Sequence, residues 1–315
     1  MNVNDIKTEF GAFYLNSGQG PNDLAKILNH PAATDELFTE IRTENTIIRR
    51  GISSLSRVLQ PFQKDWSPTG DVTFTPRQIQ LYGIKVDVVD YPDQLVESWL
   101  GFLASNNTDR KTWPISRWWA MQIAMQQAED WELNEVFAGV QAAPATAGTA
   151  GAAGTAVNGI RKIINDFVTA GDIVPISTGA PDADDVLFVT QVEEFVDAID
   201  YRYRSVPMTI AMSLDNAAKY RRGMRAKYNM NYGQANDLMA VINYPNITVK
   251  GYRSFGNSNK MFCTPRANAI LGKKNVGRNV TVESIDRQIK LWWDEHRGIG
   301  FVIPQLVFTN DQDLA

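Results

Sequence analysis

The sequence predicts an α+β fold because three of its segments have different periodicities. Residues 62–92 alternate or cluster β-branched side chains, as strands do. Residues 114–139 repeat bulky side chains at helical spacing, with no glycine or proline between Pro114 and Gly139. From residue 157 onwards helical and strand patterns alternate, and the last third of the chain is rich in strands.

Composition excludes several classes of protein. The 315 residues include 44% hydrophobic and 10% aromatic side chains, which is the composition of a globular chain with a sizeable core. The net charge of −4 argues against a dedicated nucleic-acid binder, whose affinity comes from neutralising phosphates. A single cysteine, Cys263, excludes an intrachain disulfide and a multi-cysteine zinc cluster. The sequence shows neither a signal peptide nor a run of about 18 apolar residues, so we expect a cytoplasmic protein without membrane contact.

The N-terminal part is predicted to be an arm followed by a helix. Residues 1–33 are polar and turn-rich, which fits an arm lying across a neighbouring molecule and equally a partly disordered tail. Residues 35–49 place Leu37, Ile41 and Ile48 near helical intervals, with Gly51 as a stop.

The segment 62–92 is predicted to be an extended two-stranded hairpin. Its strands lie around 72–75 and 84–89, and the interspersed prolines favour edge strands. Two strands of this length are not stable alone in water, so the hairpin needs a partner surface, quite possibly on another subunit. A helix of about 25 residues over 114–139 follows as a spine, and the Ala/Gly/Thr-rich residues 141–156 are predicted to be a flexible loop.

The second half is predicted to begin with a helix that ends at Gly171. A buried strand is predicted at 186–189, a helix at 192–203, a strand at 208–212 and a helix from 214 to about 222. Later strands are predicted at these ranges: 247–249, 261–264, 269–272, 280–282, 289–292 and 300–303.

The sequence contains no recognisable catalytic, phosphate-binding or metal-binding motif. It therefore predicts no enzyme, no cofactor and no metal site. Asp294 and His296 form either a carboxylate–histidine pair on a strand or, as the favoured interpretation, a solvated charged turn beside Gly298. Cys263 lies between apolar neighbours and is interpreted as a small buried hydrophobe. The glycines between 148 and 159 lack the strand and the Lys-Ser/Thr of a phosphate loop.

Residues 201–228 carry the one charge anomaly, with seven basic residues against Asp215 and interleaved tyrosines. The basic residues are Arg202, Arg204, Lys219, Arg221, Arg222, Arg225 and Lys227. Such a segment is typical of a nucleic-acid contact or of a subunit contact, where tyrosine and arginine are enriched. Overall neutrality favours the subunit contact, with contact to nucleic acid as the functional alternative.

The order of these segments resembles the major capsid proteins of tailed bacteriophages, which have the Hong Kong 97-type fold. The resemblance covers roughly residues 35–310, by order and pattern and without a single diagnostic motif. The segments that carry it are Asp65 to Pro92, Pro114 to Val140, Val157 to Ile160, Pro207 to Ser213, Tyr244 to Val249, Phe262 to Pro265 and Trp292 to Phe301.

The resemblance implies a division of the chain. An N-terminal arm (1–33) precedes the first part of a peripheral domain (34–61) and an extended loop (62–92). The peripheral domain continues over 93–156 with the spine helix, an axial domain spans 157–272, and the closing peripheral strands take up 273–315. The extended-loop residues expected at subunit contacts are Trp66, Phe74, Ile84, Lys85 and Val86.

The resemblance also implies a function and partners. The chain is expected to assemble with itself into pentamers and hexamers of an icosahedral head around double-stranded DNA, with a separate scaffolding protein and a portal. The expected location is the virion, assembled in the cytoplasm of a bacterial host. Encapsulin compartments share the fold and remain an alternative, as does a nucleic-acid-binding protein that uses 201–228. Some relatives cross-link a loop lysine to an asparagine, but no matching asparagine is identified for Lys85.

Overall fold

The computed structural model describes residues 32–105, 115–228, 239–275, 281–285 and 288–314. The α-helices in these ranges are α1 (Pro92–Ser105), α2 (Ile115–Asp130), α3 (Ile160–Thr169), α4 (Asp185–Asp197) and α5 (Leu214–Tyr228). The strands are β1 (Thr39–Thr43), β2 (Ile47–Leu55), β3 (Val72–Gln80), β4 (Tyr82–Asp90), β5 (Met208–Ser213), β6 (Ala240–Val241), β7 (Tyr244–Tyr252), β8 (Phe262–Pro265), β9 (Ala269–Lys274), β10 (Thr281–Ile285), β11 (Gln288–Phe301) and β12 (Phe308–Thr309).

The first sheet is built around β11, a strand of 14 residues. β4 pairs with it antiparallel from Asp90 to Tyr82, while β10 and then β9 follow its other edge. β9 also pairs with β1 in parallel. Leu291 and Trp293 of β11 share an apolar cluster with Trp99 of α1 and Trp119 of α2, so the two helices cover one face of the sheet.

The second sheet has the strand order β12-β8-β5-β7-β6. Its central strand β5 pairs with β7 in parallel and with β8 antiparallel. Helices α4 and α5 pack on it through a separate cluster that includes Phe195, Tyr220 and Ile210. Gly223 makes this packing possible, because a Cβ there would lie 2.0 Å from the carbonyl oxygen of Asp185.

The third sheet consists of β2 and β3 alone. Their nine antiparallel pairs run from Ile47↔Gln80 to Leu55↔Val72, and residues 56–71 connect them. At the base, Ile48, Ile79, Leu81 and Ile270 form a small buried cluster that joins this sheet to the first one.

Two helices and the central strand of the second sheet lie where they were predicted. The spine helix is confirmed from Ile115 as α2, and its backbone continues as a π-helical turn over Trp131–Glu135, so that it ends before the predicted Gly139. Thr112 to Pro114 lie outside the described residues. α3 and β5 match their predicted ranges closely. Residues 141–156 contain neither helix nor strand, as expected. Their end is tied to Glu135, whose carboxylate accepts hydrogen bonds from the backbone of Gly154 (2.9 Å) and Ala156 (3.0 Å).

The helix predicted over 35–49 is wrong. Only a 3-10 turn, Ala33–Leu37, forms there, and the rest becomes β1 and the start of β2. The apolar spacing of this short segment fits both periods, and the decisive interaction is the pairing of β1 with β9, more than 200 residues later.

The strand predicted at 186–189 is also wrong, because these residues lie inside α4. Asp184 caps the helix by accepting a hydrogen bond from the backbone of Val186 (2.7 Å). A short apolar run has the same pattern in a buried strand and in a buried helix, and the apolar residues up to Val196 continue it at helical spacing. The helix then ends at Asp197, before the predicted Tyr203, and α5 runs six residues beyond the predicted end at Arg222.

The predicted hairpin has its strands in the right places but the wrong partners. Val72–Gln80 pairs with Ile47–Leu55, and Tyr82–Asp90 pairs with β11, so the extended hairpin spans 47–80. The sequence does not predict α1. The strands expected at 289–292 and 300–303 are one continuous strand, and the favoured charged turn at Asp294–Gly298 is therefore wrong.

The sheets also divide the chain differently from the predicted boundaries. β9, at the end of the predicted axial segment, belongs to the first sheet. β12, in the predicted closing segment, belongs to the second sheet, where it pairs with β8. The chain therefore crosses between the two sheets near residue 268 and again after Phe301.

Candidate functional site

The most unusual surface is the hairpin of β2 and β3 with its connecting loop, residues 56–71. The nine residue pairs are separated by eight steps of about 3.4 Å, which hold the loop roughly 27 Å from the hairpin base. The hydrogen bonds that the structure shows for the loop stay within it and its stem, for example Ser56 with Asp71 and Gln60 with Ser67. The loop is thus supported by the ladder and not by the body of the subunit.

Large apolar side chains cluster on this hairpin without cover. Leu59 is 81% exposed, Phe62 94%, Trp66 91% and Phe74 74%. Leu55, Val72 and Phe74 alternate onto one face of the ladder, according to its register. A concentration of large exposed apolar side chains on one element marks a protein contact, because a monomeric soluble protein gains nothing from it.

The base of the hairpin, by contrast, is firmly seated. Arg77 of β3 forms an ion pair with Asp172, which follows α3, at 3.0 Å. Gly298 and Gly300 let β11 approach the base closely, since a Cβ on Gly298 would lie 2.1 Å from the carbonyl oxygen of Gln80. The hairpin therefore leaves the subunit in a defined direction.

Of the five predicted contact residues, only Trp66 and Phe74 lie on this exposed hairpin. Ile84 and Val86 belong to β4 and are partly buried against the apolar clusters of their own subunit. Lys85 points to solvent from the same strand and pairs with Asp87 at 2.6 Å, an interaction that raises the pKa of its ammonium group. The structure does not bring these three together with Trp66 and Phe74.

Three of the seven basic residues of 201–228 form ion pairs with acidic residues from neighbouring segments. Arg202 pairs with Asp200, whose pKa is lowered to about 2 by hydrogen bonds from that arginine. Arg222 pairs with Asp185 at 2.7 Å, and Lys227 with Glu193 at 2.6 Å.

The remaining basic residues of this segment differ in their surroundings. Arg204 donates to the carbonyl oxygen of Ile199 (2.7 Å) and Lys219 to that of Asp182. Arg221 is exposed on α5, and Arg225 is partly exposed. The acidic partners lie on α4 and the turn after it, outside the basic segment itself. They compensate the charge of three of the seven basic residues and so weaken the positive field that nucleic acid would need.

The cysteine, histidine and carboxylate side chains that could supply catalytic chemistry are held in the core or in the sheet of the described structure. Cys263 is fully buried, and burial raises the pKa of its thiol. His296 lies opposite Gly83 and Asp294 opposite Lys85 in the ladder of β4 and β11. Between them, Glu295 turns inward and pairs with Arg297 at 2.8 Å, both side chains being buried. Within the described ranges, no group of three histidine, cysteine or carboxylate side chains is arranged to hold a metal ion. None of the helices in these ranges is long and apolar enough to span a bilayer.

Solved capsid structures share this fold over most of the chain. A chain of the satellite phage P4 procapsid, which includes the size determination (Sid) protein, aligns with a TM-score of 0.61 and 10% identity over 98% of this chain and 97% of its own. The capsid of Myoviridae phage XM1 aligns with a TM-score of 0.52 and 11% identity, over 88% of this chain and 90% of its own. The capsid of an empty GTA particle aligns with a TM-score of 0.51 and 11% identity, over 89% of each chain. No protein-family model and no curated protein sequence matches the chain. The expected Hong Kong 97-type fold is therefore confirmed.

Proposed function

We propose that this chain is the major capsid protein of a tailed bacteriophage, a structural subunit that assembles with itself into a closed icosahedral shell. The observation that carries the proposal is the exposed apolar hairpin on a capsid fold, since the hairpin has a stable base and an uncovered tip. A shell subunit needs such an element, because each copy must bury part of its surface on its neighbours.

The lattice consists of rings of five and six subunits, as in the expected phage head. Such rings use head-to-tail contacts, in which one surface of a subunit meets a different surface of the next. The hairpin is one such surface and lies across a neighbouring subunit. A division into an arm, a peripheral part and an axial part is also part of this proposal, with the peripheral and axial parts taken as the first and second sheets with their helices instead of the ranges predicted from the sequence.

The shell encloses double-stranded DNA with weak, non-specific contact. The pairing of Arg202, Arg222 and Lys227 with carboxylates supports weak contact over a dedicated binding site. A scaffolding protein and a portal are the further partners, the virion is the location, and the host cytoplasm is the site of assembly. The chain acts as a structural protein and not as an enzyme.

Negative-stain electron microscopy and light scattering of the purified, concentrated protein test this proposal. Closed shells, or rings of five or six subunits, are expected, and nuclease-protected DNA inside shells isolated from the producing host distinguishes a phage head from an encapsulin. Shells that hold only cargo protein would replace the phage assignment with the encapsulin alternative. A particle that stays monomeric at every concentration and salt would overturn self-assembly by the chain alone.

A further inference from the structure

Residues 308–313 lie along one edge of the second sheet, and we call them the edge strap. The strap begins as β12, in which Phe308 pairs with Cys263 of β8. Phe308 packs against the apolar cluster under α4 and α5, and its ring lies 5.9 Å from that of Tyr203. The rest of the strap reads Thr-Asn-Asp-Gln-Asp, so polar contacts hold most of it in place.

The edge strap is bonded to the segment 172–179, which follows α3. The backbone N–H of Ile176 donates to the carbonyl oxygen of Thr309 at 2.8 Å. The Asp311 carboxylate accepts hydrogen bonds from the backbone N–H of Gly179 at 3.2 Å and from the hydroxyl of Ser177 at 3.2 Å. The strap therefore ties this segment to the second sheet.

The edge strap also covers a buried cation. The side chain of Lys260 is fully buried, and its ammonium donates to the carbonyl oxygens of Gln312 at 3.0 Å and Asp313 at 3.4 Å. Asn165 of α3 donates to the same Asp313 carbonyl at 2.9 Å. The charged groups that face Lys260 are the Asp313 carboxylate and the guanidinium of Arg161, and burial lowers the pKa of the ammonium to about 8. Lifting the strap gives this ammonium back to water, which favours its charged form.

The edge strap has the features of a segment that opens locally. β12 consists of two residues and is the outermost strand of its sheet. Hydrogen bonds add little net stability to such a segment, because the same groups bond to water when they are exposed. Segments with few apolar contacts open at a much lower free energy than the whole protein unfolds.

We propose that the edge strap is a latch that opens independently of the rest of the subunit, and that the positive charge of Lys260 favours its open state. When the latch is closed, it fixes the segment 172–179 to the second sheet. Asp172 of that segment holds the hairpin base through its ion pair with Arg77, so the latch and the hairpin base share one support. The proposal concerns the single subunit and does not depend on shell assembly.

The only cysteine of the sequence reports the state of the latch. Cys263 is fully buried, and Phe308 covers it from the edge of the sheet. The rate at which iodoacetamide labels the full-length protein is compared with the rate for the urea-unfolded chain at the same pH, and the ratio is the protection factor. Below the unfolding transition, we expect the protection factor to depend much less on urea than the global unfolding equilibrium does, since lifting the strap exposes little surface. An equal dependence on urea would overturn the latch, because the strap would then open only when the subunit unfolds.

Asp311→Ala tests the contacts that close the latch. The substitution removes the hydrogen bonds to Ser177 and Gly179, so we expect the protection factor of Cys263 to fall about tenfold or more. Glu129→Ala removes an exposed carboxylate on α2 and is the matched control, with an unchanged protection factor. The same protection in both variants would overturn the role of Asp311 and of the latch.

Lys260→Met tests the role of the charge. The protection factor of this variant is divided by that of the unmodified protein, which cancels the ionisation of the Cys263 thiol. We expect this ratio to fall about tenfold or more between pH 7.5 and pH 9.5, because the closed strap of the unmodified protein becomes more stable as Lys260 loses its proton. A ratio that stays constant with pH would overturn the dependence of the latch on this charge.

Discussion

Thr34 is bound through both its backbone and its side chain to Glu132, 98 residues later. Its hydroxyl donates to one carboxylate oxygen at 2.6 Å and its N–H to the other at 3.0 Å, and all these groups are buried. Ser254 completes the cluster through the Thr34 hydroxyl at 2.8 Å. Asp35 adds a bond from the indole of Trp131 at 2.9 Å. The start of the described chain is thus fixed to the end of the spine helix.

Thr34→Val is expected to lower the free energy of unfolding by about 1.5–3 kcal/mol, because it removes a hydrogen bond to a buried carboxylate while keeping the side-chain shape. Urea unfolding of the unassembled subunit measures the change. Thr169→Val, at an exposed helix end, is the matched control and should stay within about 0.5 kcal/mol of the unmodified protein. Equal effects of the two substitutions would contradict the importance of the Thr34–Glu132 contact.

Phe74→Ala should leave the stability of the isolated subunit within about 0.5 kcal/mol of the original, since the ring is exposed. Assembly should weaken. We expect the critical concentration for assembly to rise about tenfold, which corresponds to a loss of about 1.4 kcal/mol of association free energy per subunit. Light scattering across a concentration series gives this value. Val174→Ala, an exposed apolar position outside the hairpin, is the control. Shells that form as readily from Phe74→Ala as from the unmodified protein would remove the ladder face from the subunit contact.

Gly298→Ala is expected to destabilise the subunit by about 3 kcal/mol or more, because the new Cβ would lie 2.1 Å from the carbonyl oxygen of Gln80. The hairpin base and β11 would have to separate. Gly51→Ala is the matched change within the ladder itself, where no atom lies within 4 Å of a new Cβ, and should be close to neutral. Chemical denaturation of both variants makes the comparison. A near-neutral Gly298→Ala would mean that the base can shift freely.

The buried Lys260 is expected to make the stability of the folded subunit depend on pH. Its side chain is buried, its ammonium donates to the carbonyl oxygen of Gln312 at 3.0 Å, and burial lowers its pKa to about 8. The unfolded chain, with a lysine pKa near 10.4, therefore binds more protons than the folded one between about pH 8 and pH 10. This group makes the folded state more stable as the pH rises through that window. Unfolding of the unmodified protein and of Lys260→Met at pH 7.5 and 9.5 should show a stability difference that changes with pH in this direction. A constant difference would show that the ammonium is not shielded from water.

Removing a carboxylate that pairs with the basic segment at 201–228 is expected to strengthen DNA binding. Asp185→Asn frees Arg222 from its ion pair, so the plot of log affinity against log salt should become steeper by about 0.9. Glu194→Gln, on the exposed face of the same helix, makes the same charge change without releasing an ion-paired cation in the described structure. Fluorescence anisotropy with a DNA duplex measures both slopes. If the two variants had the same slope, the Asp185–Arg222 pair would not be what masks the segment.

Local sequence patterns were enough to predict several helices and strands of this protein. The uninterrupted spacing after Pro114 was enough to predict α2, and α3 and β5 likewise followed from their own periodicity. The order of the segments was enough to predict the capsid fold. Each of these features depends mainly on residues close together in the chain.

Only the tertiary structure decided which strands pair and which charges remain uncovered. The sequence around 72–90 predicts two strands, but the pairing of β3 with β2 and of β4 with β11 depends on registers set across the subunit. The residues at 39–49 become strands because β9 lies beside β1 and β3 beside β2. The positive field of the basic segment is weakened because α4 brings Asp185 and Glu193 against Arg222 and Lys227. Strand pairing, burial and ion pairs depend on residues that are distant in the chain, so they cannot be predicted from the local sequence pattern.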